Sequence, residues 1–554
     1  MIIGLFKYII SWALLCVMEN LMELNSMKKK SRVVIFCMSL IAVGCNDTVN
    51  VVAANDTDQT LVDTEQGKVH GMMDGDVVVF KGIPFAKPPV GDLRWKSPVA
   101  PEKRSYALDT QTYSKFCTQS EDCLYLNIFR PAEALVGKNK PVLVFIHGGA
   151  FGGGDASYFD GKALADENGV VVVTINYRLG ALGFLAHPAL LSDTEQVSGN
   201  YGIMDQQAAL SWVKANIHNF GGDSSNVTVM GQSAGGVSVS VLLASPLSKG
   251  LFDKAVIASG AYLRDQPTLA DANISGDTTA TKLGCTGTSE LTAECLRALT
   301  MEQVATMTGP NAGLWAPVVD GYVLKESTYK AFQSGDFNQV PVMTGAAQNE
   351  SNRLAYYYSE ASIPTADTYA AKASTLVADS AVTPEEIAAY YPITDYDFPQ
   401  PFRALLSTIA DYRFVCGMNS DINNISKFVS KTWRYEFAES DVAQTGPDSG
   451  TITPLSWFGD FGDYHSSDLA YWFGQFVTAE QTEKNLTLSK NMRSYLTNFM
   501  MSGNPNGVGL PVWTAVGEGS SVKFATPVEN DIDVSARHQC SLWENKAPSQ
   551  KLMW

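Results

Sequence analysis

Apolar residues fall along this chain in short unbroken runs. Val142-Leu143-Val144-Phe145-Ile146 is apolar throughout, Val170 to Ile175 is β-branched at every position, and Val227-Thr228-Val229-Met230 forms a third run. A strand covered on one face alternates apolar and polar positions. An unbroken run predicts a strand buried on both faces. Between the second and third runs the period changes. Leu210, Val213 and Ile217 recur at spacings of three and four, which places them on one face of a helix around Asp205 to Ile217. Ala255-Val256-Ile257-Ala258 and Val340 to Thr344 read as later strands, and Val237 to Leu243 as a helix. Strand and helix in alternation predict an α/β fold: a central, mostly parallel sheet with helices on both faces. Residues 355–450 are mixed helix and loop with weak strand signals. No Pro/Ser-rich linker borders them, so they read as a large insertion over the sheet and not as a separate domain.

The chemistry gathers where strands end. Gly231-Gln232-Ser233-Ala234-Gly235 matches G-x-S-x-G between the third strand and the following helix, the context this motif requires. A serine on that tight turn is lifted to a helix N-terminus, where developing negative charge is stabilised. His147-Gly148-Gly149-Ala150-Phe151 follows the first strand at once. Its glycines let backbone N–H groups turn into a site, so Gly149 and Ala150, with Ala234 after the nucleophile, are candidate oxyanion donors. The G-K-[ST] ending of a phosphate-binding loop is missing. After such a serine the acid and then the histidine follow in the chain. Only His465 and His538 lie well beyond Ser233. His465 sits in a polar turn, Phe461 to Ser467, and is the better base; His538 lies beside Cys540. Glu350, after the Val340–Thr344 strand, and Asp320 are the leading acids, and spacing does not decide between them.

Charge and cysteines narrow the setting. The 554 residues carry 40 Lys+Arg against 57 Asp+Glu, a formal charge of −17. Such a surface repels phosphate backbones and makes nucleic acid a poor partner. Residues 1–45 read as a processing segment. Met27, the expected start, opens a basic stretch through Lys28, Lys29, Lys30 and Arg32, and Val33 to Gly44 is apolar but too short to span a bilayer. The segment ends in Ile41-Ala42-Val43-Gly44-Cys45, a loose match to a lipoprotein cleavage site, so Cys45 is the expected lipidation position and membrane tether. Residues 46–58 are expected to be a flexible linker. Six cysteines follow: Cys117, Cys123, Cys285, Cys295, Cys416 and Cys540. An even number in an exported chain suggests disulfides. Cys117/Cys123 and Cys285/Cys295 are each able to close a short loop, which leaves Cys416 with Cys540, although spacing alone leaves the other connectivities open.

Together these residues resemble the type-B carboxylesterase family, which includes cholinesterases, fungal lipases and bacterial esterases. Glu121 to Ile128 is similar to one family signature, and Phe220-Gly221-Gly222 through Val227, Val229 and Gly231 to Gly235 to another. Gly82 to Ala86, Pro88 to Gly91, Arg94-Trp95, Asn176-Tyr177-Arg178 and Gly199 to Gln206 extend the likeness. The resemblance implies one α/β-hydrolase domain over residues 59–548. It implies Ser233, Glu350 and His465 as the triad, donors at Gly149, Ala150 and Ala234, and the three disulfides as paired above. It also implies ester hydrolysis through an acyl-enzyme, with no cofactor and no metal. Two departures bear on the substrate. Gln232 stands where cholinesterases carry Glu, and the Cys117–Cys123 loop is too short for the Trp that binds choline. Neutral small-molecule esters with short to medium acyl chains are therefore expected. A lipase on longer-chain acylglycerols ranks second and a non-catalytic binding protein third. Phe151, Leu314, Trp315 and Phe414 are candidates for the pocket wall. The oligomeric state is not legible.

Overall fold

The unbroken runs become the inner strands of an eleven-stranded sheet. The computed structural model describes residues 58–191, 197–307, 315–439, 445–446, 450–451, 455–459, 461–476, 481–518 and 520–543. The sheet comprises β1 (Met72–Asp74), β2 (Val77–Pro84), β3 (Tyr125–Pro131), β4 (Lys140–Ile146), β5 (Val171–Ile175) and β6 (Gly222–Gln232). It continues with β7 (Lys254–Ala258), β8 (Val342–Ala347), β9 (Thr432–Phe437), β10 (Ser521–Phe524) and β11 (Glu529–Ile532). The order across it is β11-β10-β9-β8-β7-β6-β4-β5-β3-β2-β1. From β5 through β4, β6, β7, β8 and β9 to β10 every neighbouring pair is parallel. The strands outside that stretch pair antiparallel.

The pleat sorts the apolar runs into two cores. Val142, Val144 and Ile146 of β4 join one, and Leu143 and Phe145 join the other. Helices α1 (Tyr201–Asn216) and α2 (Ala234–Ala244) cover the first face with Leu210, Val213, Val237 and Leu242. Helix α3 (Glu483–Ser502) covers the second with Leu488, Met492, Leu496 and Phe499, spaced by three and four as one helical stripe. The fold is thus the α/β-hydrolase arrangement, with helices on both faces of a largely parallel sheet.

Several expected boundaries move. Helix α1 starts at Tyr201 and not near Asp205, and β6 starts at Gly222 and not at Val227. The strand expected from Val340 begins at Val342 and runs to Ala347. The larger correction concerns residues 355–450. Most of their described part is helical, but Thr432–Phe437 is a fully buried inner strand, pairing in parallel with β8 and β10. Its polar positions hid it. Trp433, Tyr435 and Phe437 face the second core, whereas Arg434 and Glu436 face the other way and are satisfied there. Arg434 donates to Ser521 Oγ at 2.5 Å, and Glu436 Oε1 lies 2.5 Å from His538 Nε2.

The six cysteines form three bridges, Cys117–Cys123, Cys285–Cys295 and Cys416–Cys540. Residues 59–554 make one compact unit; of the preceding unit, residues 1–58, only Asp58 is described. The expected leader with Cys45, the rest of the linker and residues 544–548 lie outside the described residues. Among the described residues no helix is long and apolar enough to cross a membrane.

Candidate active site

The His147–Ala150 loop, Ser233 and Glu350 follow the carboxyl ends of β4, β6 and β8, where open α/β sheets place their ligands. Ser233 follows β6 directly and holds φ 57° and ψ −123°, a left-handed conformation that side chains rarely adopt. The turn is closed by Ser233 N–H donating to the Ala258 carbonyl at 2.9 Å. Its glycines are required by space. A Cβ on Gly231 would overlap the Gly235 carbonyl, and one on Gly235 would overlap the Ile146 carbonyl at the end of β4.

Three side chains meet at this turn. Ser233 Oγ lies 2.8 Å from His465 Nε2. On the other side of the ring, His465 Nδ1 is hydrogen-bonded to Glu350 Oε2. Glu350 is buried, and its second oxygen accepts from Ser259 Oγ at 2.5 Å and from Ala347 N at 2.8 Å. A carboxylate so held has one orientation, and the imidazole it faces inherits it. Phe414 braces the ring, with centroids 5.0 Å apart. Behind the site, Asp468 accepts from Tyr435 Oη at 3.0 Å and Trp472 Nε1 at 3.1 Å. Burial, and then the charge of Glu350, push its carboxyl up to about 6.

The loop after β4 is folded back against Ser233. Gly149 takes φ 105°, and Ala150 and Phe151 take 52° and 59°. A Cβ on Gly148 would come within 2.9 Å of Ser233 Cβ. Within the described residues no hydrogen bond uses the N–H of Gly149 or Ala150. Ala234 opens helix α2, where the first N–H groups have no partner in the helix. His147 is held neutral by burial, its Nδ1 2.8 Å from the Gly148 carbonyl.

The alternatives left open by spacing separate in space. Asp320 accepts from Asn200 Nδ2 at 2.8 Å and from the N–H groups of Tyr322 and Leu324 at 3.0 Å, and does not line the cavity. His538 lies between Asp411 and Glu436, 2.5 Å from each. Burial opposes its charge, but the two carboxylates outweigh burial and raise His538 to about 10.

A cavity of about 390 Å³ opens over Ser233, bounded by the His147–Ala150 loop, Tyr158, Phe159, Leu354, Phe414 and the 3₁₀ helix Glu350–Tyr357. Of the expected wall residues that are described, only Phe414 lines it. Phe151 is turned into the core against Phe184, and Trp315 is buried with Nε1 bonded to the Met307 carbonyl at 2.6 Å. Leu314 lies outside the described residues. Ser259, Ser351 and Arg353 were not legible as site residues, since a lone Ser or Arg in a loop carries no spacing signal. Among the described residues no group of three or more His, Cys, Asp or Glu is placed to hold a metal ion.

Fold and site define a serine ester hydrolase of the α/β-hydrolase class. The chain belongs to the carboxylesterase family, whose model matches residues 58–543. It is 35% identical over 508 residues to liver carboxylesterase 1 of Oryctolagus cuniculus, covering 82% of this chain and 87% of that protein. It is 38% identical over 409 residues to the fumonisin B1 esterase of Sphingopyxis macrogoltabida, covering 70% of this chain and 72% of that protein. Carboxylesterase 1E of Rattus norvegicus is 35% identical over 509 residues, covering 82% of this chain and 88% of that protein.

Proposed function

We propose that the protein hydrolyses neutral carboxylic esters of short to medium acyl chain through a Ser233–His465–Glu350 triad. The observation that carries this is the 2.8 Å contact of Ser233 Oγ with His465 Nε2, backed by Glu350 on Nδ1. His465 takes the proton of Ser233 as its oxygen attacks the carbonyl carbon. Glu350 holds the ring and stabilises the imidazolium that forms. The carbonyl oxygen becomes an oxyanion facing the N–H groups of Gly149, Ala150 and Ala234. The imidazolium then gives its proton to the leaving alkoxide, and an acyl-Ser233 ester remains. Water, deprotonated by His465, releases the acid by the same steps in reverse order. A cavity of about 390 Å³ is at the small end of ligand sites, roughly 300–1,000 Å³, which supports the shorter acyl chains.

Export belongs to the same proposal. Three disulfides fit an oxidising compartment. Residues 1–45 would be removed or anchored at Cys45, with residues 46–58 as the linker and 59–548 as the catalytic domain.

The test is turnover of p-nitrophenyl esters from acetate to palmitate by residues 46–554, beside Ser233→Ala. Activity peaking at the short esters, and falling by about 10⁶ in the variant, is the expected result. A maximum at palmitate would mark a lipase. Equal inertness of both folded proteins would mark a binding protein.

A further inference from the structure

The cavity holds a cation that the hydrolytic steps do not use. Arg353 lies three residues after Glu350 on the 3₁₀ helix Glu350–Tyr357. Residues i and i+3 eclipse in such a helix, about 6 Å apart along its axis. Arg353 is therefore set on the same face as the acid, one turn along, and it lines the same cavity as Ser233 and His465. Arg94, Arg178 and Arg264 are matched by carboxylates, Glu121, Asp205 and Asp421, and the buried Arg130 and Arg434 by neutral oxygens at short range, the Ala134 carbonyl at 2.7 Å and Ser521 Oγ at 2.5 Å. Among the described residues Arg353 has no such partner. Its bond there is a long one, Nη1 donating to Ser466 Oγ at 3.4 Å, and Ser466 is the residue after His465.

Ser351 lines the same cavity, is 2% exposed, and its Oγ has no hydrogen-bond partner among the described residues. Buried hydroxyls ordinarily find one. Glu350 is the carboxylate that lines the cavity among the described residues, and its oxygens are taken by His465, Ser259 and Ala347. A wholly neutral ester offers the guanidinium and the Ser351 hydroxyl acceptors but no countercharge. A carboxylate satisfies both, since the Arg fork presents parallel donors to two oxygens. It would also be drawn to this cation on a chain whose formal charge is −17.

We infer that Arg353 and Ser351 form an anion subsite of the ester pocket, and that the enzyme prefers esters bearing a carboxylate a few atoms from the scissile bond, while turning over neutral ones as well. This rests on the proposed hydrolysis at Ser233. The step is the same: the ester C–O bond breaks, water supplies the new oxygen, and alcohol, carboxylate and a proton are released. The recognised carboxylate sits on either the acyl or the alcohol portion.

Two substrate pairs separate those sources, followed by proton release at constant pH. Monoethyl glutarate against ethyl pentanoate tests the acyl side, and 4-acetoxybutanoate against pentyl acetate tests the alcohol side. In one pair kcat/KM for the carboxylate ester is expected to exceed its neutral partner by about 10- to 100-fold, the worth of one charged hydrogen bond. Arg353→Gln should bring that ratio close to one, mainly through KM, with Arg353→Lys intermediate and Ser351→Ala lowering it in part. The inference is overturned if the wild type shows no preference in either pair, or if Arg353→Gln lowers both members equally. Full activity of Ser233→Ala on all four esters would instead sink the hydrolytic reading, a distinguishable result.

Discussion

At Ser233 and Gly235 the sequence motif turns into steric fact. The φ of 57° at Ser233 is tolerable because the neighbouring glycines leave room for carbonyls that a methyl group would strike. Gly235→Ala should therefore abolish ester turnover even where the folded protein is recovered, as read by activity beside near-UV circular dichroism. Glu350→Gln keeps the shape of the acid but not its charge. Turnover is expected to fall by about 10⁴, the loss seen when a triad carboxylate becomes an amide, with Tm little changed; an unaltered kcat would remove Glu350 from the mechanism. Ala150 stands at φ 52° in the loop after β4. A side chain in that region costs about 1–2 kcal/mol, while glycine costs about 0.5–1 through its freer unfolded chain. Ala150→Gly is expected to change stability by less than about 1 kcal/mol in denaturant titration.

At the level of elements, legibility followed burial. Runs buried on both faces, such as β4, β5 and β7, could be read within one or two residues because nothing polar interrupts them. Strand β9 escaped because Arg434 and Glu436 break the run, and only long-range partners make those charges tolerable inside. The site was legible as far as local motifs reached. The G-x-S-x-G turn and the Gly-rich loop each lie within a few residues of chain, and chain order together with the polar turn Phe461 to Ser467 pointed to His465. The choice between Glu350 and Asp320 depended on which strand end faces the imidazole, a tertiary fact. Asn200 and Asp205, met first as parts of a recognisable stretch, turn out to be structural: Asn200 bonds Asp320 and Val318, and Asp205 accepts two bonds from the Arg178 guanidinium.

Across the whole molecule, the C-terminal segment is fixed by a covalent and an ionic tie. The Cys416–Cys540 bridge closes a loop of sequence separation 124. On a chain-entropy basis such a loop contributes about 4–5 kcal/mol, so Cys416→Ser with Cys540→Ser should lower Tm markedly while leaving the other two bridges intact. Beside it, His538 is held charged between Asp411 and Glu436, with its pKa raised to about 10. A raised folded-state pKa gives stability that is fully present below the unfolded value of about 6.5 and is lost as pH rises through about 10. Thermal stability should fall between pH 7 and pH 10. His538→Gln should be less stable by about 3–5 kcal/mol at neutral pH, since it removes the buried cation between Asp411 and Glu436 and leaves them the Tyr391 hydroxyl and Arg537, and its stability should vary less over that range. A wild-type Tm that does not change from pH 7 to pH 10 would contradict the buried imidazolium.

The central claim is that Ser233 is a nucleophile made reactive by His465. Intact-mass and peptide mapping after reaction with diethyl p-nitrophenyl phosphate tests it most directly. The expected result is one diethylphosphoryl group per chain, on Ser233, forming rapidly in the wild type, not at all in Ser233→Ala, and slower by orders of magnitude in His465→Ala. An adduct on another residue, or a His465→Ala protein labelled as fast as the wild type, would contradict the account.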